Sequence, residues 1–173
     1  TPSGFEASAY QQGGAIVISF AGTYPGLDDL LADGSLGFGS IIDCNQQLKD
    51  AALYYMQIKE AYPSDDIIFT GHSLGGGLAA LMGVFFNRQA YTFDQAPFLR
   101  SATETTRDIL HGYLNQAGYS DSTLAELTSF TSWAAPMVPI PDPRVPMVVW
   151  NIRGASNVHD LHVKGEFLTP APN

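Results

Sequence analysis

Asp66-Ile67-Ile68-Phe69-Thr70-Gly71-His72-Ser73-Leu74-Gly75-Gly76-Gly77-Leu78-Ala79-Ala80-Leu81-Met82 is the stretch on which the fold turns. Residues 66–70 are a short apolar run, as a buried parallel strand carries. From Gly76 onward the residues are those of a small-residue helix. Between the two, Gly71-His72-Ser73-Leu74-Gly75 has the Gly-x-Ser-x-Gly spacing. A strand that turns sharply into a helix forces the central residue into strained backbone geometry, and flanking glycines let strand and helix approach. Ser73 Oγ is then presented above the sheet, over a helix N-terminus that favours developing negative charge. Ser73 is therefore the candidate nucleophile. A plain turn of glycine and serine would share the five-residue pattern but not its flanks.

The rest of the chain is consistent with that centre. Phe5–Tyr10 and Ala15–Phe20 flank Gln11-Gln12-Gly13-Gly14 and predict a hairpin. Ala21–Gly39 is rich in Gly and Asp and reads as loop. Ser40–Tyr62 predicts a long helix: Ile41, Cys44, Leu48, Ala52, Tyr55 and Ile58 recur every three or four residues, Ser40 is a ready N-cap, and Pro63 ends it. Ala90–Phe93 predicts a strand that stops at Asp94-Gln95-Ala96-Pro97. Residues 98–146 read as an excursion from the sheet, helical and polar over 100–132, then irregular across the five prolines of Pro136–Pro146. Val145–Ile152 and Leu161–Phe167 are the last strand candidates, with a loop-like stretch at 154–160. A hairpin followed by alternating strands and helices predicts one α/β domain over 1–173, with a mixed, mainly parallel sheet and helices on both faces.

Composition narrows the function. The chain has 173 residues, 45% of them hydrophobic and 14% charged, which is globular. Eight basic against 17 acidic side chains give a net charge of −9. That argues against nucleic acid as a partner and against electrostatic capture by an anionic membrane. Transient apolar contact with a neutral lipid surface stays open. No apolar run approaches the roughly 18 residues of a membrane span. Cys44 is the only cysteine, so no internal disulfide forms, and it reads as filler on the long helix. The chain opens at Thr1 without a signal sequence, which reads as a processed form or a fragment; a secreted location is favoured slightly over a cytoplasmic one. Asp28, Asp29 and Asp33 do not have calcium-loop spacing and read as a solvated acidic loop. No Cys/His cluster suggests zinc, and neither a metal nor a cofactor is expected.

These features together resemble the fungal-type (class 3) lipases of the α/β-hydrolase fold, well over residues 4–98 and poorly beyond. Gly4-Phe5-Glu6-Ala7, then Ile16-Val17-Ile18-Ser19-Phe20-Ala21-Gly22-Thr23, is similar to the family's strand pair ending in Phe-Arg-Gly-Thr, with Ala21 where the family has Arg. Leu27-Asp28-Asp29-Leu30-Leu31-Ala32-Asp33 resembles its Asp-Trp-Leu-x-Asp stretch without the Trp. Tyr62-Pro63 and Ile68–Gly76 match closely, and Tyr91-Thr92-Phe93 with Ala96-Pro97 echoes Thr-Phe-Gly-Ala-Pro. The resemblance implies serine ester hydrolysis without a cofactor. Ser73 would attack an acyl carbonyl, and the oxyanion would be held by the backbone N–H of Leu74 and by Thr23.

The acid and base are less legible. In this fold they follow the nucleophile in the order acid, then histidine. His72 lies inside the elbow and reads as packing; His111 falls in the polar excursion and reads as solvated. One solution takes Asp94, at a strand end, as acid and His159 as base, with His162 as its neighbouring substitute. The other takes Glu166, in a Val163-Lys164-Gly165-Glu166 stretch resembling the family's acid-bearing turn, with the histidine beyond Asn173. Asp160 is a third acid candidate, poorly placed to serve its neighbour His159.

The leading expectation is a carboxylic ester hydrolase acting on acylglycerols, phospholipids or simple esters. Leu27, Leu30, Leu31, Leu36 and Phe38 are candidates for an acyl groove, a lid or ordinary core. A non-catalytic hydrolase-like module, or part of a larger protein, is the alternative from a different class; acyltransfer or peptidase chemistry is a third, since one elbow serves several acyl transfers. Oligomeric state is not readable.

Overall fold

The computed structural model describes residues 4–22, 42–96, 98, 101–134, 150–152 and 155–161. Strands β1 (Ala7–Gln12) and β2 (Ala15–Phe20) form the expected hairpin, paired from Ala7↔Phe20 to Gln12↔Ala15. Helix α1 (Ile42–Ala61) leads to β3 (Asp66–His72), and α2 (Leu74–Phe86) leads to β4 (Ala90–Phe93). Helices α3 (Glu104–Gln116) and α4 (Ala125–Thr128) follow, with Thr103 capping α3 by accepting the Thr106 N–H. The chain ends its described course with β5 (Ser132–Ala134), β6 (Trp150–Ile152) and β7 (Val158–Leu161).

The main sheet runs β1-β2-β3-β4-β7, antiparallel at β1/β2 and parallel from β2 onward. Each parallel crossover steps the same way across the sheet. Right-handed crossovers then deliver successive helices to one face. That face holds Ile16, Ile18, Phe20, Ile67, Phe69 and Ala90, all buried. From α1 it receives Leu48, Ala51, Ala52, Tyr55 and Met56, the i, i+3, i+4, i+7, i+8 stripe of an amphipathic helix. Helix α2 is buried on every side from Gly75 to Phe86, which its small and apolar residues allow. Tyr55 joins the layers, its ring 5.4 Å from that of Phe69 and 4.6 Å from that of Phe86.

Two expectations need correction. Helices on both faces were expected, but the helices described pack on one; Val17, Ile68, Tyr91, Phe93 and Leu161 alternate onto the other, which is half-buried to exposed. The last strand described is Val158–Leu161, three of whose four residues fall in the stretch read as loop. Its polar pair fits because β7 has β4 as its one strand partner among the described residues: His159 stacks on exposed Tyr91, and Asp160 bonds Thr92. The part of Val145–Ile152 that is described, β6, pairs with β5 in a separate two-stranded ribbon. The acidic loop, the proline-rich stretch and residues 162–167 lie outside the described residues.

At the N-terminal ends of β3 and β4 a polar network of four side chains ties α1, the α2–β4 turn and α4 together. Arg88 Nε donates to Tyr55 OH at 3.2 Å, and Tyr55 OH donates to Glu126 Oε2 at 3.3 Å. Glu126 also takes Arg88 Nη2 at 2.8 Å and Lys59 Nζ at 3.2 Å. Burial pushes the Tyr55 phenol up to about 12, against the opposing pull of Arg88.

Candidate functional site

Ser73 is the residue between β3 and α2, and its backbone is at φ 54, ψ −122, a region side chains of L residues rarely adopt. Backbone bonds over-determine it. Its N–H donates to Phe93 O at 3.0 Å, and its carbonyl accepts from Gly77 N at 3.0 Å and Ala96 N at 2.9 Å. The two glycines of the motif are there for space. A Cβ on Gly71 would lie 2.3 Å from Gly75 O, and one on Gly75 would lie 2.4 Å from Phe20 O. Strand, turn and helix therefore touch backbone to backbone. The Ser73 side chain does not cap α2. The first-turn N–H groups of α2, Leu74 among them, lack intrahelical acceptors and form an electropositive end.

The other candidates distribute unevenly. The end of β2 runs beside the elbow: a Cβ on Gly22 would sit 3.1 Å from His72 O and 3.9 Å from Ser73 Cβ. Thr23 follows Gly22 but, like Glu166 and His162, lies outside the described residues. Asp94 is at the same sheet end, one residue past the Phe93 carbonyl that holds Ser73. Its φ of 44 is a left-handed position that Asp tolerates better than most side chains, and its N–H donates to Leu161 O at 3.0 Å. Ser73 and Asp94 are thus brought together by the backbone.

His159 is not brought to them. It sits within β7 opposite Tyr91, which in turn faces Thr70, three residues before Ser73. Strand geometry separates it from the elbow by about 10 Å along the sheet and about 10 Å across it. Its Nε2 is 2.7 Å from Gln89 Oε1, and its ring stacks on Tyr91 at 4.8 Å. His72 is exposed rather than packed. His111 is half-buried, 3.1 Å from Asp121. Among the described residues no side chain bonds Ser73 Oγ, no group of three or more His, Cys, Asp or Glu could hold a metal ion, and no helix is long and apolar enough to cross a membrane.

Sequence reasoning passed over one group. Thr92 is fully buried, and its Oγ1 lies 2.9 Å from Gln95 Oε1 and 3.1 Å from Asp160 Oδ1, directly behind the elbow. The signal available was Thr-x-x-Gln at a strand end, too common to single out.

Residues 1–171 match the family described as Tle-like phospholipase domain. The chain is similar to "Putative lipase ATG15" of Mycosarcoma maydis, 33% identical over 118 residues, 64% of this chain and 20% of that protein. It is 36% identical over 58 residues to "Putative lipase atg15" of Penicillium rubens, 34% of this chain and 9% of that protein. To "Putative lipase ATG15" of Candida glabrata it is 52% identical over 40 residues, 23% of this chain and 8% of that protein. The matched stretches span a fifth or less of each of these relatives. No solved structure matches. The family match runs through hairpin, elbow and β7 alike, and the chain belongs to the Tle-like phospholipase domain family.

Proposed function

We propose that this chain is a lipolytic serine hydrolase that cleaves the carboxylic ester of a phospholipid or acylglycerol through an acyl-enzyme on Ser73. The order of strand pair, elbow and strand end supports reading the mixed sheet as an α/β-hydrolase core of class 3 lipase-like type. The observation that carries the reading is Ser73 itself: a non-glycine residue held at φ 54, ψ −122 by three backbone hydrogen bonds, at the head of a buried helix. Strain of about 1–3 kcal/mol at one residue is characteristic of working sites.

In the reaction, Ser73 Oγ attacks the ester carbonyl carbon and gives its proton to a histidine. The alcohol leaves with that proton, and water then releases the fatty acid and restores Ser73. The oxyanion is stabilised by the Leu74 N–H and by Thr23, a role supported by the passage of Gly22 beside Ser73. Asp94 and Glu166 are the two acid candidates. The engagement of His159 with Gln89 favours His162 as the base, the residue next after the Leu161 carbonyl that holds Asp94.

Labelling by a fluorophosphonate and hydrolysis of p-nitrophenyl esters and phosphatidylcholine vesicles test this. The expected result is stoichiometric labelling, lost in Ser73→Ala, with turnover lower by at least about ten-thousandfold. His159→Ala and His162→Ala, measured side by side, assign the base. A folded wild-type chain that resists the label and cleaves no ester, and that stays inert when extended past Asn173, would overturn the reading in favour of a non-catalytic module.

A further inference from the structure

The polar group behind the elbow is built where packing alone would put apolar residues. Phe20, Gly71, Thr92 and Asp160 form one rung across β2, β3, β4 and β7, on the face covered by helices. Gly71 takes the start of α2 against its Cα. Thr92, one strand over, is fully buried. A hydroxyl and a carboxylate in such a place cost free energy unless hydrogen-bonded.

Bonds from both lead to the turn after β4. Asp160 Oδ1 accepts from Thr92 Oγ1 at 3.1 Å and, at a long 3.5 Å, from the backbone N–H of Gln95. Thr92 has a single proton; with the carboxylate taking it, the Gln95 amide turned over donates its NH2 to Thr92 Oγ1. Gln95 in turn presses on the elbow, its Cβ and Cα at 3.0 and 3.1 Å from where a Cβ on Gly76 would be. The neighbouring residues of the same loop grip Ser73 from both sides, Phe93 O on its N–H and Ala96 N–H on its carbonyl. Leu161 O holds the Asp94 N–H.

We propose that Asp160 is a positioning residue for Ser73: it anchors the 92–96 loop to β7, and that loop holds the serine in its strained conformation. This rests on the reading of Ser73 as nucleophile. Misplacement of a nucleophile by a fraction of an ångström lowers reactivity far more than it lowers stability.

The test compares Asp160→Ala, Asp160→Asn and Thr92→Val with Val158→Ala, a β7 substitution away from the loop, in the 173-residue chain. Three quantities are read: the second-order rate of fluorophosphonate labelling, Tm, and hydrogen exchange at the Ser73 and Ala96 amides. Asp160→Ala is expected to slow labelling by about tenfold to hundredfold and to speed exchange at both amides by at least about tenfold. Asp160→Asn keeps an acceptor oxygen and is expected to restore most of the labelling rate. Thr92→Val falls between them, and Val158→Ala lowers Tm with labelling unchanged. Equal labelling rates in Asp160→Ala and Val158→Ala at matched Tm would overturn the proposal. A wild-type chain that takes no label would overturn only the acyl-enzyme reading; exchange at Ser73 and Ala96 then decides whether Asp160 holds the elbow, unchanged rates refuting it.

Discussion

The parallel strands are held differently at their two ends. At the C-terminal end, β3 meets α2 through Gly71 and Gly75, and Ser73 is fixed by bonds to Phe93, Gly77 and Ala96 that are entirely backbone. At the N-terminal end, side chains do the joining: Tyr55, Arg88, Glu126 and Lys59 link α1, the α2–β4 turn and α4. On the proposed role of Ser73, the difference follows from what each end must leave free. Joining the elbow through its backbone spares the serine hydroxyl, at the expense of strain and of any tolerance for a Cβ. The far end carries no such demand and is closed by charge and hydrogen bonds. Strain and the Tyr55–Arg88–Glu126 network thus sit at opposite ends of the same two strands.

The sharpest way to break the elbow end is to add one carbon. In Gly71→Ala the new methyl would meet Gly75 backbone at 2.3 Å, and neither side can turn away as a side chain could. The expected cost is about 4 kcal/mol, from overpacking of backbone on backbone. Denaturant unfolding measures it, and fluorophosphonate labelling is expected to vanish with the native elbow. A variant that keeps wild-type stability would mean that strand and helix are not in contact at Gly71.

The far end is tested by pH. The Tyr55 phenol, at 10.0 in an unfolded chain, is held at about 12 in the fold, chiefly by burial. A raised folded value favours the protonated native state, so the contribution is fully present below pH 10 and is lost as pH rises through 12. Its size is about 2 kcal/mol. Tyr55→Phe removes the titrating group, and the difference in unfolding free energy between wild type and variant is expected to shrink by that amount between those pH values. A difference constant with pH would show that the phenol is not buried in the network. Labelling of Ser73 at neutral pH is expected to be unaffected, since Tyr55 packs at the opposite end of α2 from the serine.

The two ends were also unequally legible. The elbow end could be read because glycine spacing, an apolar strand and a small-residue helix are constraints on neighbouring residues; β2 and β4 have the bounds the sequence predicts, and α1 ends one residue before the predicted end. The network end could not, because Tyr55, Arg88 and Glu126 are 33 to 71 residues apart and nothing local announces their meeting. The same reason hid β7. Val158-His159-Asp160-Leu161 has no continuous apolar run, and its polar residues make sense only beside Tyr91 and Thr92 of a strand far earlier in the chain. Adjacency makes Asp160, the third acid candidate, poorly placed to serve its neighbour His159; in the sheet, adjacent residues face opposite sides, and Asp160 bonds Thr92.

The smallest effect has the opposite sign. If the elbow stores strain to present a hydroxyl, removing the side chain should stabilise the fold. Ser73→Gly accepts φ 54 without penalty and keeps all three backbone bonds, relieving about 1–3 kcal/mol of strain. The added freedom of glycine in the unfolded chain returns about 0.5–1 kcal/mol. A net gain of about 1 kcal/mol in unfolding free energy is expected, together with complete loss of labelling. Ser73→Ala is the control: it also loses the hydroxyl but retains the Cβ that causes the strain, so it is expected to stay near wild-type stability. A stabilised alanine variant would locate the cost in the hydroxyl's desolvation rather than in the backbone. An unstabilised glycine variant would mean that the elbow is not strained, and the contrast between the two ends of the strands would then reduce to one of space alone.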